Sequence, residues 1–299
     1  MTLNDGMVHI VNDSIYAGER VEITDSLNGE TTLLILQAPG VLGTTMDSSG
    51  ALVLWGCCGG KAAVEIQGGD VNGSISGGAD SCITIAGGTV SVSDAGFLGV
   101  SVRMIVYPFE FPRQTFLRMT GGDLIGSVFS AYKGHFLFSG GSVGIGDKGY
   151  SLDLLDTFVR ATDTQFAASW FLSGLTAVIR GGSIGVKDGY SVDAKFSRLI
   201  IGDGAFDGGI RVRRKSQISV SGGSFGVDAS SASLFLNESQ GNVTGGNFAG
   251  NVRVLQDATI RISGGSIGAD PTAIAVNSEY SSSRVEIFGG SFTGFIRAG

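Results

Sequence analysis

The chain is short of most residues from which reactive and metal-binding sites are built. Among 299 residues there are three cysteines, Cys57, Cys58 and Cys82, and two histidines, His9 and His135. Their spacing matches no zinc-ligand pattern, so neither metal nor cofactor is expected. Charged residues make up only 16%, and mean hydropathy is +0.27, low in polarity for a free monomer. That implies a flank covered by sister chains or another partner. Net charge is −7 with a pI near 4.8, which disfavours nucleic acid, because phosphate binding needs clustered Lys and Arg. No apolar run is long enough to span a bilayer, so no membrane span is expected. Met1-Thr2-Leu3-Asn4-Asp5 lacks a basic stretch followed by an apolar one, so no signal peptide is visible. Two settings fit: a secreted protein without its leader in this chain, or cytoplasmic assembly with release by lysis, as for phage structural proteins. Apolar residues at 42% exclude disorder.

What the chain has in abundance is glycine, 50 residues of it, arranged in register. The pairs beginning at Gly140, Gly181, Gly222 and Gly264 are spaced by 41, 41 and 42 residues. Each is followed by Ser and an apolar residue, as in Ser142-Val143 and Ser224-Phe225. A second set, Gly121-Gly122, Gly245-Gly246 and Gly289-Gly290, falls between them, with a degenerate copy at Gly202-Asp203-Gly204-Ala205-Phe206. Around each pair the apolar residues alternate: Ile83 and Ile85, Phe136 and Phe138, Ile218 and Val220, Ile260 and Ile262 before it, and Val90, Val143, Phe225 and Ile267 three residues after. Alternation at period two marks strands with one buried face. The glycine pairs, with Gly140, Gly181, Gly222, Gly264 and Gly289 as their leading members, are expected where the backbone bends between strands.

A coil of this size cannot bury its apolar face alone, and stacking on the next coil solves this. The predicted fold is all-β: a right-handed parallel β-helix, or β-solenoid, of about eleven coils in a 41-residue two-coil repeat. Residues 64–299 are expected to form it, and residues 1–63, which lack the glycine rhythm, to form an N-terminal β cap or docking segment. Strand-like runs in that segment are Met7–Val11, Val21–Ile23, Thr31–Leu36 and Leu52–Trp55. Cys58 and Cys82 lie about one coil apart, which fits either a disulfide or buried thiols. The last coil leaves Phe292, Phe295 and Ile296 at an open end, a hint of docking onto another copy or another protein.

Three irregularities are candidate functional features. The gap between Gly87 and Gly121 is longer than the rhythm predicts, and the excess, near residues 104–116, contains Pro108 and Pro112. Proline excludes a central strand, so a loop is expected there, with Tyr107, Phe109, Phe111 and Arg113 as candidate partner-binding residues. The alternative is that these aromatics fold back onto the solenoid. The only basic cluster is Arg211, Arg213, Arg214 and Lys215. It reads either as a solvated edge that discourages sheet pairing or as a contact for a glycan carboxylate or phosphate. Gly149-Tyr150-Ser151-Leu152-Asp153 is echoed by Gly189-Tyr190-Ser191-Val192-Asp193, and Asp147, Asp188, Asp228 and Asp270 fall near a common position. Recurring Asp fits turn chemistry better than a catalytic centre, which needs a unique constellation. Asp153 with Asp193, or Asp188 with Lys187 and Lys195, are the only catalytic neighbourhoods to nominate, and no catalytic residue is assigned.

Ile262-Ser263-Gly264-Gly265-Ser266-Ile267-Gly268 and Val220-Ser221-Gly222-Gly223-Ser224-Phe225-Gly226 resemble right-handed parallel β-helix repeat proteins. They are similar in style to the Gly-Gly-Ser-Phe-Gly repeats of large bacterial surface proteins. The wider architecture resembles pectate-lyase-like helices and phage tailspikes. The resemblance covers about residues 64–299 and bears on fold more than on activity. It implies a non-catalytic structural or attachment protein in a virion (tail spike, fibre or capsid-surface protein) or on an extracellular surface. Its partners would be a homo-oligomer such as a trimer, other virion or surface proteins, or a glycan. The alternatives are a polysaccharide lyase or glycosidase on a β-helix and a secreted bacterial adhesin.

Overall fold

Alternating apolar residues need a second surface, and the chain supplies it by pairing each strand with the equivalent strand one coil later. The computed structural model describes every residue except 14–19, 25, 27, 44–51, 56–60, 79, 92–99, 103–114, 131–133, 145–148, 187–188, 227–231, 269 and 298–299. The described residues contain no helix; their strands form parallel sheets stacked as a β-solenoid of about eleven turns. The chain divides into two compact units, Met1–Phe158 and Val159–Gly299.

In the first unit one turn reads Ala62–Ile66, Asp70–Asn72 and Ile75–Gly77, and the next begins at Ser81–Ile85. The first two strands of a turn belong to one sheet and the third to the other. Parallel pairing sets Leu34, Val64, Ile83, Leu117 and Phe136 in one column, and Leu36, Ile66, Ile85, Met119 and Phe138 in a second. All ten side chains are buried. In the second unit the corresponding column is Ile179, Ile201, Val220, Val243 and Ile262, again buried. Phe206, Phe225 and Phe248 stack on successive turns with ring centroids 4.7 and 4.5 Å apart and planes within 14° and 11° of parallel. The rung spacing of a parallel sheet, about 4.8 Å, imposes that stacking.

The glycine corners work by a division of labour. The second residue of a pair has left-handed backbone: φ is +75° at Gly88 and +92° at Gly265. The first residue does not, yet it too must be glycine. A Cβ on Gly87 would lie 2.6 Å from the Gln67 carbonyl oxygen of the preceding turn, and one on Gly140 would lie 2.6 Å from that of Thr120. Gly222, Gly264 and Gly289 face Gly202, Thr244 and Ser263 in the same way. The bend alone therefore does not explain the pair; the closeness of the corner beneath does. Backbone bonds continue the ladder through it: Asp123 N donates to Gly88 O at 2.9 Å, and Ser266 N to Gly246 O at 2.9 Å. Gly181 differs from the rest. It sits inside a continuous strand, Thr176–Ile184, which pairs with Arg198–Phe206 through register shifts on both sides of Arg180.

Other corners are closed by hydroxyls. Residues in left-handed backbone at Asp80, Phe196, Lys215 and Glu238 each precede a buried serine. Ser81, Ser197, Ser216 and Ser239 donate back to the carbonyls of Gly78, Lys195, Arg213 and Asn237 at 2.6–2.8 Å. Ser151 and Ser191, from the echoed Gly-Tyr-Ser segments, donate to the carbonyls of Gly144 and Ile184.

Residues 1–63, expected as a cap, carry strands in the same ladders. Thr32–Leu36 pairs in parallel with Ala62–Ile66, and Val21–Thr24 pairs with Leu52–Trp55, which pairs with Ile75–Gly77. Their corner lacks a glycine pair because a tight turn replaces it, closed by Gly40 N donating to Gln37 O at 2.7 Å. In the second unit Phe295 and Ile296 are exposed and Phe292 is half-buried.

The two glycine requirements separate experimentally. Gly189 has φ of +80° and open space around its missing Cβ, whereas Gly265 has φ of +92° with the Gly246 carbonyl oxygen 2.8 Å away. Gly189→Ala should lose only the left-handed cost, about 1–2 kcal/mol. Gly265→Ala should lose clearly more, read as a lower denaturation midpoint. Equal losses would contradict the close-stacking explanation.

Candidate functional site

The third strand of each turn in the second unit sets one column of side chains toward the core and the next toward the outside. Trp170, Val192, Ile210, Leu234, Val252 and Val276 face the core on successive strands. One residue further along each strand, a single outward column runs Phe171, Asp193, Arg211, Phe235, Arg253 and Asn277. A neighbouring column runs Ser173, Lys195, Arg213 and Asn237.

Asp193 is the hub of this flank. Its side chain is 6% exposed, beneath two guanidinium groups that are 29% and 30% exposed. Arg211 Nη2 donates to its Oδ2 at 2.5 Å. Arg213 grips both carboxylate oxygens, Nε to Oδ1 at 3.1 Å and Nη2 to Oδ2 at 2.7 Å. Such a fork is the geometry arginine offers and lysine cannot. The Arg211 guanidinium lies 4.6 Å from the Tyr190 ring centroid, and Tyr190 meets Phe235 edge-on at 6.3 Å. Arg253 covers Phe235 at 5.8 Å and donates through Nε and Nη2 to Glu279 Oε1, which also accepts from Asn277 Nδ2 at 2.8 Å. Lys195 Nζ lies 4.5 Å from the Phe171 ring centroid. The result is one continuous web of cations, carboxylates and rings on the outside of a sheet.

This arrangement revises two expectations. Arg211 and Arg213 do not line a sheet edge: their strand, Gly209–Arg213, lies between Tyr190–Lys195 and Ala232–Asn237. Nor are Asp153 and Asp193 turn residues. Both sit within strands and are buried, and Asp153 stands beside Phe129 in the first unit as Asp193 stands beside Phe171 in the second. Turn chemistry does hold at Asp270, which accepts from the backbone N and Oγ1 of Thr272, both at 2.7 Å. The Thr272 hydroxyl and amide hold its carboxyl below the usual aspartate range. Asp147, Lys187, Asp188 and Asp228 lie outside the described residues, as do Tyr107, Phe109, Phe111, Arg113, Cys57 and Cys58. Cys82 is a half-buried free thiol.

Chemically, Asp193 is a poor general base or nucleophile. Both of its oxygens are engaged by guanidinium groups, and a base must be free to take a proton. Among the described residues no cluster of three or more His, Cys, Asp or Glu could hold a metal ion. His9 instead engages Asp5, Nε2 to Oδ1 at 2.9 Å, and that bond holds the Asp5 carboxyl below its ordinary range. His135 lies between Phe116 and Phe158, with centroids 5.2 and 5.7 Å away. No helix among the described residues is long and apolar enough to cross a membrane.

The first unit carries a flank of the opposite character. Val8, Leu33, Ala63, Cys82, Phe116 and His135 form one outward column. Phe116, Leu137 and Ile125 are 36%, 38% and 56% exposed. The column at the same repeat position in the second unit reads Thr176, Arg198, Gln217, Gln240, Thr259 and Arg284.

Removing the hub should leave two guanidinium groups repelling each other. Asp193→Ala is expected to cost on the order of 2 kcal/mol, between the values for exposed and buried pairs, and the loss should shrink in Asp193→Ala combined with Arg211→Ala. Chemical denaturation of Asp193→Ala, Arg211→Ala and the double variant measures it, and strictly additive losses would show that the pair does not interact. No protein-family model, curated protein or solved structure matches this chain.

Proposed function

We propose that this chain is a non-catalytic structural or attachment protein whose solenoid flanks contact partner subunits and cell-surface glycans, in a virion setting such as a tail spike, fibre or capsid surface. The observation that carries the reading is the flank around Asp193. Its ionised groups satisfy one another and its rings and guanidinium planes are held in register, which suits a rigid contact surface rather than a cleft with a poised acid or base. Repetition along a sheet multiplies weak contacts, and oligomerisation multiplies them again. The apolar column containing Phe116 supports contact with a protein partner, a sister chain first among them. The virion setting draws on the resemblance of the wider architecture to phage tailspikes noted above.

Two measurements on the intact chain test this. Light scattering across a dilution series should show an oligomer that dissociates in Phe116→Ser; a strict monomer at every concentration contradicts the subunit contact. Incubation with capsular and pectic polysaccharides should release no new reducing ends or unsaturated products. Depolymerisation that disappears in Asp193→Ala would instead establish the lyase or glycosidase alternative.

A further inference from the structure

Two stacked corners of the second unit depart furthest from the residues that left-handed backbone favours. Left-handed backbone is hospitable to glycine, Asn and Asp, and costly for bulky side chains. Elsewhere the left-handed corner positions hold Asp80, Asp156, Asp163, Gly174 and Asp257, with Glu238 the one other departure among the described residues. Three departures cluster on two neighbouring turns: Phe196 at φ +53°, and the adjacent Arg214 and Lys215 at +55° and +61°. Phe196 N donates to Arg214 O at 3.2 Å, so the two corners are directly stacked. Lys215 is an added residue: its counterpart corners pass straight from one left-handed residue to the serine, as in Phe196-Ser197 and Glu238-Ser239. The extra residue is held by Lys215 N donating to Glu238 O at 2.6 Å.

None of the three side chains is used by the fold. Phe196 is 54% exposed, a large ring facing water, and Arg214 and Lys215 are exposed beside it. Backbone strain that the core does not need collects at functional positions. The chemistry at this corner is coherent. Lys195, immediately before Phe196, adds a further cation, while Arg213, immediately before Arg214, is paired with Asp193. The carboxylates near them are Asp193, already committed to two arginines, and Glu238 on the following turn. In a chain of net charge −7 this is a local basic island around one exposed aromatic face.

We infer that the corner formed by Phe196, Arg214 and Lys215 binds a carboxylate-bearing polysaccharide, the ring stacking on a sugar face while the cations engage uronate carboxylates. An aromatic plate supplies what a pyranose ring needs, and fixed cations supply selection for charge. The inference rests on the attachment reading above and names its ligand class and site. A nucleic acid would be drawn by the same cations, but the single ring and the acidic surroundings favour the sugar.

The intact protein is titrated with oligogalacturonate, with its methyl-esterified form, and with a single-stranded DNA oligonucleotide, at low and moderate salt. Binding of oligogalacturonate should weaken with salt and exceed that of the neutral ester. Phe196→Asn and the double variant Arg214→Ala/Lys215→Ala should each lower it at least about tenfold. Phe196→Asn relieves left-handed strain, so its denaturation midpoint should rise while affinity falls, which separates a lost site from a lost fold. Equal binding of the neutral ester, tighter binding of DNA, or unchanged affinity in both variants overturns this inference. If glycan binding persists in both variants, the attachment reading stands and only this site fails. If no glycan in a broad array binds the parent protein, the glycan part of that reading fails with it.

Discussion

The paired-glycine corners of this solenoid rest on the corner beneath at a distance that leaves no room for a Cβ. The carbonyl of Gln67 occupies the space a side chain on Gly87 would need, and the carbonyl of Thr120 does the same for Gly140. Where a corner rests this closely on the one beneath, only glycine fits. The constraint propagates, which is why the pair recurs at a nearly constant interval. Everything else follows from the register it sets. Equivalent aliphatic side chains fall into dry columns, Phe206, Phe225 and Phe248 lie ring over ring, and outward residues align into the web around Asp193.

The same stacking explains how polar groups survive burial. A buried hydroxyl without a partner costs about 1–3 kcal/mol. Ser81, Ser197, Ser216 and Ser239 avoid that cost by bonding a carbonyl within their own corner. Ser197 also links turns, since its amide donates to Ser216 Oγ at 3.1 Å. The hydroxyls thus do for one corner what glycine does for another, through bonding rather than through smallness.

Much of the fold was legible because its determinants are local. The alternation at Ile218 and Val220, or at Ile260 and Ile262, specifies an inward face without reference to the rest of the chain. What escaped was whatever depends on which turn lies next door. Leu34 and Leu36 alternate as well as any pair, yet their turn hid behind a corner closed by Gln37 and Gly40 in place of paired glycine. The serine corners escaped because the residue before each serine varies, from Asp80 to Phe196 to Glu238. The candidate flank was the least legible. Asp193 and Arg211 are 18 residues apart, and only the pairing of strands brings them together; the alternation at Arg211 and Arg213 showed an outward face but could not separate an edge strand from a central one.

The central claim, parallel in-register stacking of consecutive turns, can be tested with engineered disulfides on an outward column, in a background with Cys57, Cys58 and Cys82 replaced by serine. Ser219 faces Asn242, and Asn242 faces Arg261. Neighbouring strands lie about 4.8 Å apart, within reach of a disulfide, whereas positions two turns apart lie at about 10 Å, beyond it. Ser219→Cys with Asn242→Cys should therefore oxidise readily to an intramolecular bond, as should Asn242→Cys with Arg261→Cys, while Ser219→Cys with Arg261→Cys should remain reduced. Efficient closure of the third pair, or failure of the first two in folded protein, would contradict the stacked register.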